Sequence, residues 1–308
     1  MSITLEERKQ ELHKDLVASP IGVFSVLDNY ASVYRGISGK QPTELQLDAL
    51  RKNWGKVNYT GNISKNTARV LRVMLTGWSR SIEVYNRLHK LNGFRAARKI
   101  VFLTLTIPKK QMHSDDYMKR SLLGSFIQDL KRQSKVNHYF WKAESQKNGN
   151  IHFHILVDNY VHKSLVNWLW DKVLSNHGYF DKIEDYSINY GSTTTKIEAP
   201  KSNDSIAIYV VKYCLKDNEY RLITGRLWGC SDSLREIEKL SISLNDELFQ
   251  VLQVATKKNR IDSILSNFCD VYVGNVYAVL MSESEYFQYE SDVFYYDTYH
   301  MLYNDFEQ

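Results

Sequence analysis

His152-Phe153-His154 lies inside the apolar run Ile151-His-Phe-His-Ile-Leu-Val157. A β-strand sends alternate side chains to opposite faces, so both imidazoles leave one face while Phe153 and Ile155 enter a core. A lone strand histidine is usually a hydrogen-bonded polar residue. Two on the same face of an apolar strand both need partners, and a divalent ion meets that need directly, which makes the pair half of a metal site.

A third ligand is required, and Glu144 is the nearest acid. Its orientation depends on the turn around Asn148-Gly149, which joins strands expected at 137–144 and 150–157. A two-residue turn sets Glu144 opposite Phe153, on the wrong face. A three-residue loop, Lys147-Asn148-Gly149, ends with glycine in the left-handed position of a G1 bulge and sets Glu144 opposite His152. The carboxylate and the glycine that this arrangement needs are both present. An exposed hairpin acid is the alternative.

About sixty residues later comes Tyr209-Val-Val-Lys212-Tyr213, within a segment (203–216) of helical character. At i and i+4 the phenols share a helix face, with Lys212 beside them. The chain has 21 tyrosines, and such pairs often pack in cores. A phenol of pKa about 10 is a weak nucleophile, however, and a neighbouring ammonium favours phenolate or offsets the charge of a cleaved phosphate.

The elements that must position these groups read as an α+β arrangement. Ser64 can cap a helix over 64–91, in which Leu71, Met74, Leu75, Trp78, Ile82, Tyr85 and Leu88 recur at three- and four-residue steps. Gly77 falls within it and Gly93 beyond it. Arg69, Arg72 and Arg80 flank the apolar stripe and Arg95 and Arg98 follow it, so these five are candidate phosphate contacts. Ile100–Thr106 alternates and is β-branched, a strand stopped before Pro108. Residues 115–133 read as a helix with Tyr117, Leu122, Leu123, Phe126 and Leu130 inward. A tryptophan-rich helix covers 161–176 and strands fall within 185–198. Short helical patterns occupy 1–60, 232–260 looks helical, and 271–280 looks like one or two strands. Three consecutive regions result: a helical N-terminal region (1–97), a central domain (98–235), and a mixed C-terminal region (236–308).

Composition narrows the function classes. A chain of 308 residues buries a sizeable core, and three scattered cysteines give no disulfide framework. The charged N-terminus is unlike a signal peptide, and no apolar run is long enough for a membrane span. The net charge of +5 hides an asymmetry: residues 281–308 carry seven acids and no Lys or Arg, leaving about +12 on the remainder, which suits a polyanionic partner. Gly36-Ile-Ser-Gly39-Lys40 fails the phosphate-loop pattern at Tyr34 and Gln41, so no ATPase motor is expected.

The order His152-Phe-His154, then Tyr209-Val-Val-Lys212-Tyr213, resembles the HUH endonucleases, named for His-hydrophobic-His. The paired tyrosines resemble those of the two-tyrosine rolling-circle replication initiators of microvirus-like single-stranded-DNA phages. Phe102-Leu-Thr-Leu-Thr106 looks like that family's first motif strand, Glu144 matches its acidic ligand, and Arg226-Leu-Trp-Gly229 resembles a recurrent segment after the tyrosines. The resemblance covers about 98–235. It implies a central, mainly antiparallel, RRM-like sheet with the histidine strand in the middle. It also implies Mg²⁺ or Mn²⁺ held by His152, His154 and Glu144, with Tyr209 and Tyr213 as nucleophiles that nick single-stranded origin DNA and rejoin it. A separate host helicase and polymerase, and the cytoplasm of a bacterial host, follow from that role. A two-tyrosine transposase of the same superfamily and a non-catalytic DNA-binding module are the competing readings. A structural zinc site is disfavoured because no cysteine lies near His152.

Overall fold

A computed structural model describes residues 23–27, 30–34, 61–91, 93–180, 194–198, 220–264 and 269–304. Its strands are β1 (Val23–Leu27), β2 (Tyr30–Tyr34), β3 (Val101–Leu105), β4 (Tyr139–Ser145), β5 (Ile151–Val157), β6 (Thr195–Glu198), β7 (Trp228–Cys230), β8 (Ser241–Ser243), β9 (Ile261–Ile264) and β10 (Cys269–Gly274). Its helices are α1 (Lys65–Leu88), α2 (Asp115–Tyr117), α3 (Gly124–Gln133), α4 (Lys163–Asn176), α5 (Asp246–Lys257), α6 (Val276–Glu283) and α7 (Glu285–Tyr303). A π-helical segment, Met118–Leu123, joins α2 to α3. None of these helices is long and apolar enough to cross a membrane. The chain divides into two compact units, one of Tyr59–Ile237 with Thr298–Gln308, the other of Met1–Asn58 with Glu238–Asp297.

The first unit is built on an antiparallel sheet of order β6-β3-β5-β4-β7, with the histidine strand β5 in the middle. The α+β expectation holds, and so does the central place of that strand. One sheet face is mainly apolar: Val101, Leu103, Leu105, Ala143, Phe153 and Ile155 pack against Leu122, Phe126 and Leu130 and against Val166, Leu169 and Trp170 of α4. On the opposite face, Phe102, Phe140 and Leu156 meet Leu71, Met74, Leu75, Trp78 and Ile82 of α1 and the end of α7 at Tyr299, Leu302 and Tyr303. Each of these fully buried Leu, Ile or Phe side chains stabilises the fold by about 1.5–3 kcal/mol relative to exposure.

Local chemistry explains where the elements begin and what they touch. The Ser64 hydroxyl accepts from Thr67 N at 3.1 Å, capping α1 as its sequence suggests. Gly77 marks a close approach: a Cβ there would lie 2.4 Å from Ile237 Cγ2. The Tyr85 ring stacks on Tyr299 at 3.8 Å, whereas Leu88, at the end of the stripe, is exposed. Helix α7 is fixed at its last turn, where Tyr303 Oη accepts from Trp78 Nε1 at 3.0 Å and the Leu302 carbonyl meets His138 Nε2 at 2.8 Å.

Three local expectations are corrected. Tyr117 is exposed, not inward, because the π-helical segment after it shifts the helical phase, so Met118 and Lys119 take the buried positions. Residues 276–280 continue as helix after β10 instead of as a second strand. Within 1–60 the described residues form β1 and β2 in place of short helices. Their partners β8 and β10 come from the far end of the chain, which no local pattern reveals. These strands complete the second unit's sheet, of order β8-β1-β2-β10-β9, beside a core that includes Leu248, Leu252, Tyr272, Leu280 and Phe287.

β7 closes the first sheet along the edge of β4, and Gly229 permits it. A Cβ there would sit 2.7 Å from Trp141 Nε1, nearer than any side chain can approach. Gly229→Ala is expected to destabilise the fold by about 1–3 kcal/mol, read as a lower urea midpoint at unchanged slope.

Nearby, burial alone would push the Asp115 carboxyl up. Hydrogen bonds from Arg221, Gln111 and Thr224 N outweigh burial and hold it at about 2, against 3.8 when free. A depressed folded-state value contributes stability above the free value, and that contribution is lost as pH falls through the folded one. Acid denaturation curves of Asp115→Asn are therefore expected to show a shallower loss of stability between pH 3.8 and about 2 than wild type.

Candidate metal centre

The β4–β5 connection is the three-residue loop. Glu144 pairs with His152 and Ser145 with Ile151 across the ladder. Gln146 N donates to Asn150 O at 2.8 Å, Gly149 N donates to Gln146 O at 2.9 Å, and Gly149 has φ +80°. Asn148 Oδ1 accepts from Asn150 N at 3.0 Å and steadies the turn. Glu144 is thereby set on the face that carries His152 and His154.

The three side chains converge. Glu144 Oε2 lies 2.8 Å from His154 Nε2 and 3.3 Å from His152 Nε2, and the two imidazole centroids are 4.5 Å apart. One ligand atom from each falls within 4.8 Å of the others, and among the described residues this is the group that could hold a metal ion. The neighbouring strand β3 orients His154. The Phe102 ring stacks on it at 5.2 Å, and Thr104 Oγ1 lies 3.3 Å from its Nδ1, which leaves Nε2 directed at the centre. His152 Nδ1 is buried with no hydrogen-bond partner. Two nitrogens and a carboxylate suit a first-row divalent ion, so the donor set fits Mn²⁺, one of the two ions that the resemblance implies.

Electrostatics favour the binding forms of Glu144 and His154. Burial raises the Glu144 carboxyl, but its hydrogen bonds with His152 and His154, with the charge of Lys142, hold it well below the usual carboxylate range. Burial lowers His154 and outweighs the opposing pull of Glu144, favouring neutral imidazole. Sequence reasoning missed Lys142 and the separate role of Thr104. Both share a ladder rung with His154, and Lys142 is only 2% exposed. Their signal was the alternation itself: Phe102 and Thr104, like Lys142 and Glu144, are spaced two apart.

Tyr209, Lys212 and Tyr213 lie outside the described residues. Of the candidate phosphate contacts, Arg69 and Arg95 are exposed and Arg72 is half-buried. Arg80 pairs with Glu83 at 3.0 Å. Arg98 donates to the Lys135 carbonyl at 3.0 Å and lies over the Tyr303 ring at 4.6 Å, so it helps hold the end of α7.

Residues 100–218 match the family model described as replication-associated protein ORF2. The matched stretch is less than half of the chain, and it contains the metal-centre residues and both tyrosines. Searches of curated proteins and of solved structures return no match.

Alanine at His152 or His154 is expected to weaken Mn²⁺ binding about tenfold or more, with a smaller loss for Thr104→Val, measured by titration calorimetry. Wild-type Mn²⁺ affinity in the double histidine variant would eliminate the centre.

Proposed function

We propose that this protein is a metal-dependent replication initiator endonuclease of the HUH type, working in rolling-circle replication. The observation that carries this reading is the convergence of Glu144, His152 and His154 within 4.8 Å, inside a stretch similar to replication-associated proteins. The same stretch carries Tyr209-Val-Val-Lys212-Tyr213 downstream.

Mg²⁺ or Mn²⁺ held by Glu144, His152 and His154 would supply Lewis-acid polarisation of the scissile phosphate. The remaining work belongs to the chain. Tyr209 Oη attacks the phosphorus of single-stranded origin DNA and the bond to the 3′ oxygen breaks. That oxygen takes up a proton and leaves as a 3′-OH primer, while the 5′ phosphate stays on the tyrosine. Lys212 favours the phenolate and offsets charge on the phosphoryl oxygens. After one round, Tyr213 cleaves the regenerated origin, and the freed 3′-OH attacks the Tyr209 phosphodiester to close a circle. Arg69, Arg72 and Arg95 add sequence-independent phosphate contacts. A separate helicase and a polymerase of the host, in a bacterial cytoplasm, complete the cycle. The family description favours a replication role over a transposase.

Incubation with single-stranded origin DNA and Mn²⁺ is expected to give a covalent protein–DNA band on a denaturing gel. Its absence across the whole origin would favour a DNA-binding module. Tyr209→Phe and Tyr213→Phe should each retain some adduct, since loss of the hydroxyl leaves ring packing nearly intact, and neither should sustain repeated cleavage and joining. The double variant should form none. A complete replication cycle by Tyr213→Phe would rule out alternation between the two phenols.

A further inference from the structure

The π-helical segment after Tyr117 leaves that ring 42% exposed, and the ring belongs to a cluster. Its centroid lies 4.6 Å from that of His113 and 5.6 Å from that of His177, the residue that caps the end of α4. His113 in turn meets the buried Tyr179 ring edge-on at 5.7 Å. π-Helical turns inside longer helices recur at functional sites, and this one brings an aromatic face to the surface.

The cluster is held from behind. His113 Nε2 donates to the His177 carbonyl at 3.1 Å, and His177 Nδ1 donates to the Val173 carbonyl at 2.8 Å. Tyr179 Oη accepts from Met112 N at 3.1 Å. A carbonyl only accepts, so each contact fixes the imidazole plane and the nitrogen that carries a proton. Tyr117 therefore stands on a pre-ordered support, and covering it costs little further entropy.

The surroundings are basic. Lys109, Lys110 and Arg120 are exposed, while the nearby acids are already engaged. Asp115 takes the fork of Arg221 at 2.6 and 2.7 Å, and Asp116 lies 3.5 Å from the Lys119 ammonium. The same segment borders the metal hairpin. Asn150 donates to the Lys109 carbonyl at 2.9 Å and accepts from Gln111 N at 2.8 Å, and Gln111 Oε1 accepts from Ile151 N, next to His152, at 2.8 Å.

We propose that Tyr117, supported by His113 and His177, is a stacking subsite for a base of single-stranded DNA passing the end of the metal hairpin. The proposal rests on the reading of this protein as one that acts on single-stranded DNA. Every base offers a π-face to an exposed aromatic ring, and neighbouring lysine and arginine side chains match the flanking phosphates. A duplex keeps those faces stacked on one another, so the subsite selects unpaired strand.

The test uses the full chain without added metal, which separates binding from cleavage, and a fluorescein-labelled oligothymidylate followed by anisotropy. Tyr117→Ala is expected to weaken binding about tenfold, and Tyr117→Trp to bind at least as tightly as wild type. An abasic strand of the same length keeps the phosphates and lacks the rings; its affinity, and that of a duplex, should differ less than about twofold between wild type and Tyr117→Ala. Lys110→Ala should make the salt dependence shallower by about one unit of slope, which Tyr117→Ala should not do. Because Tyr117 is exposed, its alanine variant should keep the wild-type urea midpoint, and Tyr117→Leu carries the comparison if it does not. Equal oligothymidylate affinity in wild type and Tyr117→Ala would overturn the subsite and leave the patch to a protein partner. An equal loss on the abasic strand would also overturn it, as would failure of wild type to bind oligothymidylate. The functional reading fails separately: a wild type that binds the strand through Tyr117 but forms no adduct with Mn²⁺ would keep the subsite and lose the endonuclease.

Discussion

The rung that pairs Glu144 with His152 governs the rest of the site. Sheet side chains alternate with period two, so a slip of one residue in this hairpin would turn Glu144 into the apolar core and leave the imidazoles without an acid. Two constraints prevent the slip. Gly149, at φ +80°, closes a three-residue loop that a side chain would strain. On the other face Phe153 and Ile155 are fully buried, and shifting them outward would expose both. The polar centre is thus held in register largely by apolar contacts on the opposite side of the same strand.

A middle strand is a costly place for ionisable groups unless each has a partner. The structure meets this by dividing one face of the sheet. Phe102, Phe140 and Leu156 are covered by α1 and the last turn of α7, while Thr104, Lys142, Glu144, His152 and His154 occupy the adjoining rungs. Burial works against the Glu144 carboxylate, and the two imidazoles reverse its effect. The same burial favours a neutral His154, the form in which a ring nitrogen can ligate an ion. The directions of the Glu144 and His154 shifts thus follow from burial and from the side chains around them.

The last turn of α7 shows a similar use of buried polar groups away from the centre. Asp158 is fully buried and accepts from Asn137 N and His138 N, both at 3.0 Å. The His138 ring reaches from there to the Leu302 carbonyl. Arg98, Tyr303 and Trp78 complete the contact, so Tyr299, Leu302 and Tyr303 pack into the first unit's core through aromatic rings and a hydrogen-bonded carbonyl. A basic residue near a candidate nucleic-acid surface can therefore serve packing, as Arg98 does.

Much of the centre was written in local sequence. Alternation placed both histidines on one face, and the loop Lys147-Asn148-Gly149 placed Glu144 with them, because strand period and turn chemistry act over a few residues. The same short-range rules located α1 with its Ser64 cap, strand β3, and the helical stretch from α2 to α3. They failed where the determining partner is distant. β1 and β2 gain their identity from strands near the other end of the chain, and the exposure of Tyr117 depends on a π-helical turn that an ideal helical period does not anticipate. Thr104 and Lys142 became part of the centre only through cross-strand pairing, and Arg221 met Asp115 and Gly149 only through tertiary packing. Residue types and spacings determined which groups could do chemistry. The long-range pairing of strands decided which of them came together, since hydrogen-bond registry between distant segments is not encoded in either segment alone.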